Sequence, residues 1–127
     1  MTFDEKRKYP RLNLRIDDGY FGNFRLASNE TIAAPIVNIS AGGLNMAAPE
    51  STKESIKKGD RILLASIAGG ANFAFLSDVA SEVRWVQQLD TPGYLSVGCK
   101  FKDLSEELLH QLKAFVDSER KTRGQYD

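Results

Sequence analysis

The stretch Asn38-Ile39-Ser40-Ala41-Gly42-Gly43 places an amide and a hydroxyl two residues apart and follows them with paired glycines. Residues two apart on an extended strand share a face, so Asn38 and Ser40 present their polar groups together while Val37 and Ile39 point into a core. Gly42 and Gly43 fall where the chain must turn. Glycine takes positive φ there at little steric cost, and without side chains it lets a ligand approach the backbone. Charge for this platform is available from Lys6-Arg7-Lys8-Tyr9-Pro10-Arg11. Arg7 and Arg11 are four apart, an even offset that sets both guanidinium groups on one side of an extended arm. Pro10 biases Tyr9 towards extended backbone and against helix. A guanidinium fork grips a phosphate, pairs with the O6/N7 edge of guanine or stacks on a ring. Two forks beside an Asn/Ser platform suit a ligand that is anionic and carries guanine.

On these residues the chain resembles the PilZ domains, bacterial receptors for cyclic di-GMP. Their signature is R-x-x-x-R in an N-terminal arm and, further on, (D/N)-x-S-x-x-G. Arg7-Lys8-Tyr9-Pro10-Arg11 and Asn38-Ile39-Ser40-Ala41-Gly42-Gly43 complete both motifs in the right order. The similarity continues through Gly59-Asp60, Val83-Arg84-Trp85 and Gly98-Cys99-Lys100-Phe101, nearly the whole chain. The resemblance implies a six-stranded antiparallel β-barrel with a C-terminal helix packed on it. It implies cyclic di-GMP as ligand rather than cofactor, with Arg7 and Arg11 on guanine edges and phosphates. Asn38 and Ser40 would bond a guanine or the sugar-phosphate ring, and Gly43 with Gly42 would leave the ligand room. In PilZ proteins the residue before the first motif influences whether one ligand or a stacked pair binds; here it is Lys6. The resemblance also implies a downstream protein in motility, adhesion or polysaccharide export.

The elements that must position these residues read mostly as strands. Residues 1–11 form a flexible basic arm, and residues 12–16 alternate as a half-buried strand. Asp17-Asp18-Gly19 turns the chain into an aromatic-rich strand over 20–26, and 27–30 turns it again. Residues 31–40 run extended, with Pro35 marking an edge or a bulge. A strand over 44–48, a charged connector over 49–60 and a strand over 61–67 follow, the last broken by Ala68-Gly69-Gly70. Residues 73–88 read as one long strand or two, with Val83 and Trp85 on one face. Asp90-Thr91-Pro92-Gly93 is a turn. Leu95, Val97, Cys99 and Phe101 then alternate cleanly with polar and small residues. Leu104, Leu108, Leu112, Phe115 and Val116 form one helical stripe, capped by Asp103 or Ser105, with Glu106 and Glu107 at the positive end of the dipole. The domain therefore divides into arm 1–11, β-barrel 12–102 and helix 104–120, with a tail from Arg120 that frays. Periodicity alone fits a barrel or a sandwich.

The 127 residues suffice for one modest core, and 42% hydrophobic with 27% charged residues is ordinary for a soluble domain. Lys plus Arg and Asp plus Glu both number 17, so no global field draws nucleic acid or membrane, and any anion site is local. One cysteine fits a reducing compartment, and the charged start and lack of a long apolar run place the expectation in the cytoplasm. Cys99 shares parity with Leu95 and Phe101 and reads as a small buried hydrophobe. Trp85 shares parity with Val83 and reads first as core, second as a stacking platform. Gly98 and Lys100 lie on the opposite face of their strand, Lys100 as a surface lysine that could reach a ligand rim. His110 falls off the helical stripe. One His and one Cys assemble neither a metal site nor a nucleophile–base pair, so the reading is a binding domain and not an enzyme. The rival readings are a PilZ-like interaction module without nucleotide, which the intact motifs disfavour, and a single-strand binding barrel. The latter would need a basic aromatic groove.

Overall fold

In a computed structural model the described residues are 9–69, 71–89 and 91–125. Lys6, Arg7, Lys8, Gly70 and Asp90 lie outside them. Seven strands and one helix follow in order: β1 Leu12–Asn13, β2 Phe21–Arg25, β3 Thr31–Ser40, β4 Gly43–Pro49, β5 Arg61–Ala68, β6 Val79–Gln88, β7 Tyr94–Phe101 and α1 Glu106–Thr122. All pairings are antiparallel. Strands pair in the order β3-β2-β5-β6-β7-β4, and β4 returns to β3, so six strands close into a barrel. Closure leaves no long open edge, which settles the barrel against the sandwich. The two-residue β1 adds to the edge of β3 through Leu12↔Ile39 and Asn13↔Asn38.

Inward positions carry the core that alternation demands: Phe24, Ala34, Ile36, Met46, Leu64, Val83 and Val97 are buried. Ser81 occupies one inward position with a hydroxyl that finds no hydrogen-bond partner. α1 lies against β1 and β3 and buries Leu112 and Val116. Its Phe115 meets Phe73 edge to face at 4.8 Å, and Phe73 meets Tyr20 at 5.0 Å. Ser105, rather than Asp103, caps the helix by accepting the Leu108 N–H at 3.1 Å; Asp103 sits in the left-handed region with φ 57°.

Local departures from the alternating pattern have identifiable causes. The strand expected over 12–16 lasts two residues, because the chain enters a 3-10 turn at Ile16–Asp18. Ile16 rides on that turn 70% exposed instead of half-buried. The expected strand from Phe73 begins only at Val79. Ala71–Phe73 is a 3-10 turn, which sends Phe73 into the core. Val37, expected inward, is 39% exposed. A bulge between Ile36 and Asn38, opposite Met46 and Asn45, makes Val37 the extra residue. Two residues then oppose one and the face parity flips, so Ile36 and Ile39 both point inward. The tail does not fray at Arg120. Helix continues to Thr122 and ends in Gly124 at φ 70°. There Gly124 N–H donates to Lys121 O and Gln125 N–H to Arg120 O, a Schellman closure.

Candidate functional site

The bulge that expels Val37 also fixes Asn38 on the outer face, and a second bulge does the same on β6. There Val83 pairs with Cys99 and Trp85 with Gly98, leaving Arg84 as the extra residue. Val83 stays buried while Arg84 and Trp85 both face out. Pairings across the barrel wall then line up as one row: Asn13↔Asn38, Asn38↔Asn45, Asn45↔Gly98 and Gly98↔Trp85. Directly paired residues share a face, and neighbouring strands lie about 4.8 Å apart, so Asn38 to Trp85 spans about 14 Å. A second row beside it runs Ser40↔Gly43, Gly43↔Lys100 and Lys100↔Glu82.

These rows floor an open pocket of about 360 Å³. Of the residues expected at a ligand site, Arg11, Asn38, Ser40, Gly42, Gly43, Trp85, Gly98 and Lys100 line it together. Lys6 and Arg7 lie outside the described residues. Tyr9, Asn45 and Arg84 line it as well and were missed. Strict parity from Val83 assigns Trp85 inward, which ranks it first as core, and gives Arg84 no more than an exposed position on its strand. The available signal was Gly98 in the middle of an alternating strand, which marks a close approach.

That approach is the Trp85 indole: a Cβ on Gly98 would run into Cε2 and Nε1 of the ring. The indole therefore covers the Gly98 backbone as a flat platform, not as core packing. Gly42 and Gly43 act differently from expectation. Neither has positive φ, and Gly43 is already the first residue of β4. A Cβ on Gly43 would strike the Cys99 carbonyl, so the β4–β7 ladder by itself demands this glycine. Gly42 lies under the arm, where a Cβ would stand 3.2 Å from the Tyr9 ring. The turn is pinned on both sides, since Gly42 N–H donates to Ser40 Oγ at 3.1 Å and Gly42 O accepts from Phe101 N–H at 2.9 Å. Ser40 thus shapes the turn with its lone pair, while its O–H remains a donor.

The pocket's electrostatics are cationic. Arg11, Arg84 and Lys100 line it, and no Asp or Glu is among its described lining residues. Glu82, in the second row, is held by Lys102 at 3.1 Å. The Lys102 hydrogen bond and charge, with Arg84 and Arg61 behind, keep its carboxyl below the ordinary value. Cys99 has the opposite shift, its thiol pushed up to about 12 by burial, so it is neutral and unreactive at neutral pH. Among the described residues no three His, Cys, Asp or Glu side chains gather as a metal site. No described helix is long and apolar enough to cross a membrane.

A closed barrel with a polar cationic row on its wall, beneath the end of an R-x-x-x-R arm, agrees with one family comparison. The PilZ domain family matches residues 5–118. This chain belongs to the PilZ family. Several solved structures share the fold. The PilZ domain of YcgR from Escherichia coli, described with c-di-GMP, is 20% identical with a TM-score of 0.71, over 94% of this chain and 96% of that one. The K. pneumonia MrkH–c-di-GMP complex is 18% identical with a TM-score of 0.70, over 94% of this PilZ chain and 55% of MrkH. The Bacillus subtilis inhibitor of motility MotI/DgrA is 14% identical with a TM-score of 0.67, over 92% and 52%. The PilZ chain thus spans about half the length of the two larger proteins. A comparison with curated proteins finds no match.

Proposed function

We propose that this PilZ domain is a receptor for cyclic di-GMP and not an enzyme. The observation that carries the reading is the outward row from Asn38 to Trp85, flanked by Arg11 and Arg84 in one pocket. Two guanines and two phosphates demand flat surfaces, amide and hydroxyl partners, and cations, and the row offers each. Asn38 and the Ser40 hydroxyl bond a guanine or the sugar-phosphate ring. The Trp85 indole over Gly98 stacks a base, Lys100 and Arg84 meet phosphate from the far rim, and Gly42 and Gly43 keep the turn low. Arg7 and Arg11 close from the near side. Ligand phosphates neutralise the like charges of Lys6, Arg7, Lys8 and Arg11 and draw the arm (residues 1–11) over the barrel (12–102). Ordering the arm over the barrel, beside the C-terminal helix (104–120), changes the surface offered to a downstream protein in motility, adhesion or polysaccharide export. The reading places the domain in the cytoplasm, where the messenger is made.

Calorimetric titration of cyclic di-GMP into the wild type, Arg7→Ala and Arg11→Ala tests this. One bidentate arginine contact is worth about 1–3 kcal/mol, so each variant binds about 5–150-fold more weakly. Unchanged affinity in both variants removes the arginine clamp. A wild type that takes up no cyclic di-GMP removes the receptor reading itself.

A further inference from the structure

β1 is the root of the arm, yet it offers only two residues to the barrel ladder. Leu12 and Leu14 point inward and are buried, so Arg11 and Asn13 share the outer face with Asn38. Where Arg11 aims therefore depends on what holds Asn13. The Asn13 N–H and C=O turn away from β3, and both are met by one side chain from the opposite end of the chain. Gln125 Oε1 accepts from Asn13 N at 2.9 Å, and Gln125 Nε2 donates to Asn13 O at 3.0 Å. A side-chain amide here replaces the next strand of a ladder. Gln125 is aimed by the Schellman closure at Gly124, which turns the chain back after α1. Beside it Arg123 Nη1 pairs at 2.9 Å with Asp18 Oδ2, and that same oxygen accepts the Arg15 N–H at 2.7 Å. Two consecutive attachments thus fasten residues 13–18 to the helix terminus.

We propose that Gln125 and Arg123 are positioning residues for the ligand arm, a clamp from the C-terminal end of α1 that sets the affinity of the pocket through β1. This rests on the cyclic di-GMP reading for its ligand half, while the clamp half stands on the free protein. A binding-competent state populated only in part lowers apparent affinity by that fraction. Reciprocity makes ligand occupancy tighten the clamp in turn.

The test compares wild type with Gln125→Ala, Arg123→Ala and Ser105→Ala. Ser105→Ala removes the cap at the far end of the same helix, so it loosens α1 without touching β1. In the free protein, amide hydrogen exchange at Asn13 and Leu14 speeds up by about tenfold in Gln125→Ala and stays near wild type in Ser105→Ala. With cyclic di-GMP added, Gln125→Ala and Arg123→Ala bind about 5–10-fold more weakly, and Ser105→Ala binds as wild type does. Unchanged exchange at Asn13 overturns the clamp, and an equal affinity loss in Ser105→Ala reduces it to general helix stability. Altered exchange with no binding in any protein, wild type included, overturns the ligand half and the receptor reading together while leaving the clamp demonstrated.

Discussion

Gly43 and Gly98 both sit inside strands, and each excludes a side chain for a different reason. Gly43 faces the Cys99 carbonyl across the β4–β7 ladder, whereas Gly98 lies beneath the Trp85 indole. Backbone in a closed barrel has nowhere to go, but an indole on the outer wall does. Gly43→Ala therefore costs about 1–3 kcal/mol of stability by overpacking, read as a lower urea midpoint. Gly98→Ala leaves that midpoint nearer wild type but tilts the indole off its platform. Cyclic di-GMP then binds about 5–150-fold more weakly, the range that loss of one base–aromatic stack implies. A Gly98→Ala protein with full affinity would remove Trp85 from the site.

At the scale of elements, the two bulges explain what a sequence reader sees and misses. Asn38 and Ser40 are legible because the motif and strand patterning agree on their outward direction. Val37 and Trp85 are not, because period-two parity carries no mark of an extra residue, and one insertion on each strand reverses every assignment beyond it. β7 and the helix follow their apolar periodicity closely, whereas β3, β5 and β6 each carry a register shift. Phe73 breaks the pattern, as a short apolar run reads the same whether it is strand or the plug between two strands. The polar residues after Arg120 look like a solvated tail in sequence, since nothing local reveals that Gln125 and Arg123 find partners more than a hundred positions away. That helix end also titrates. The Arg15 N–H, then the Arg123 guanidinium, hold Asp18 below its ordinary 3.8. A carboxyl lowered on folding stabilises above its unfolded value and loses that contribution as pH falls through its folded value. Asp18→Asn accordingly lowers Tm at neutral pH, by at most about 4 °C, and the difference from wild type closes in acid below the folded pKa. A gap that persists there would mean the ion pair is not its source.

For the whole molecule, charge and topology point the same way. With 17 positive and 17 negative side chains the chain has no net field to gather anions, so the positive charge at the pocket is the local grouping of Arg11, Arg84 and Lys100. The core is closed and packed, so a ligand acts on the wall and not inside it. The wall row joins the arm root at Asn13 to Trp85 across five strands. Trp85 is the single tryptophan of the chain, so its emission reports the pocket and nothing else. Titrating cyclic di-GMP while following that fluorescence is the most direct test. The account predicts a saturable change in intensity, with a midpoint displaced to about 5–150-fold higher concentration in Arg11→Ala. An emission spectrum unmoved at saturating cyclic di-GMP would contradict it.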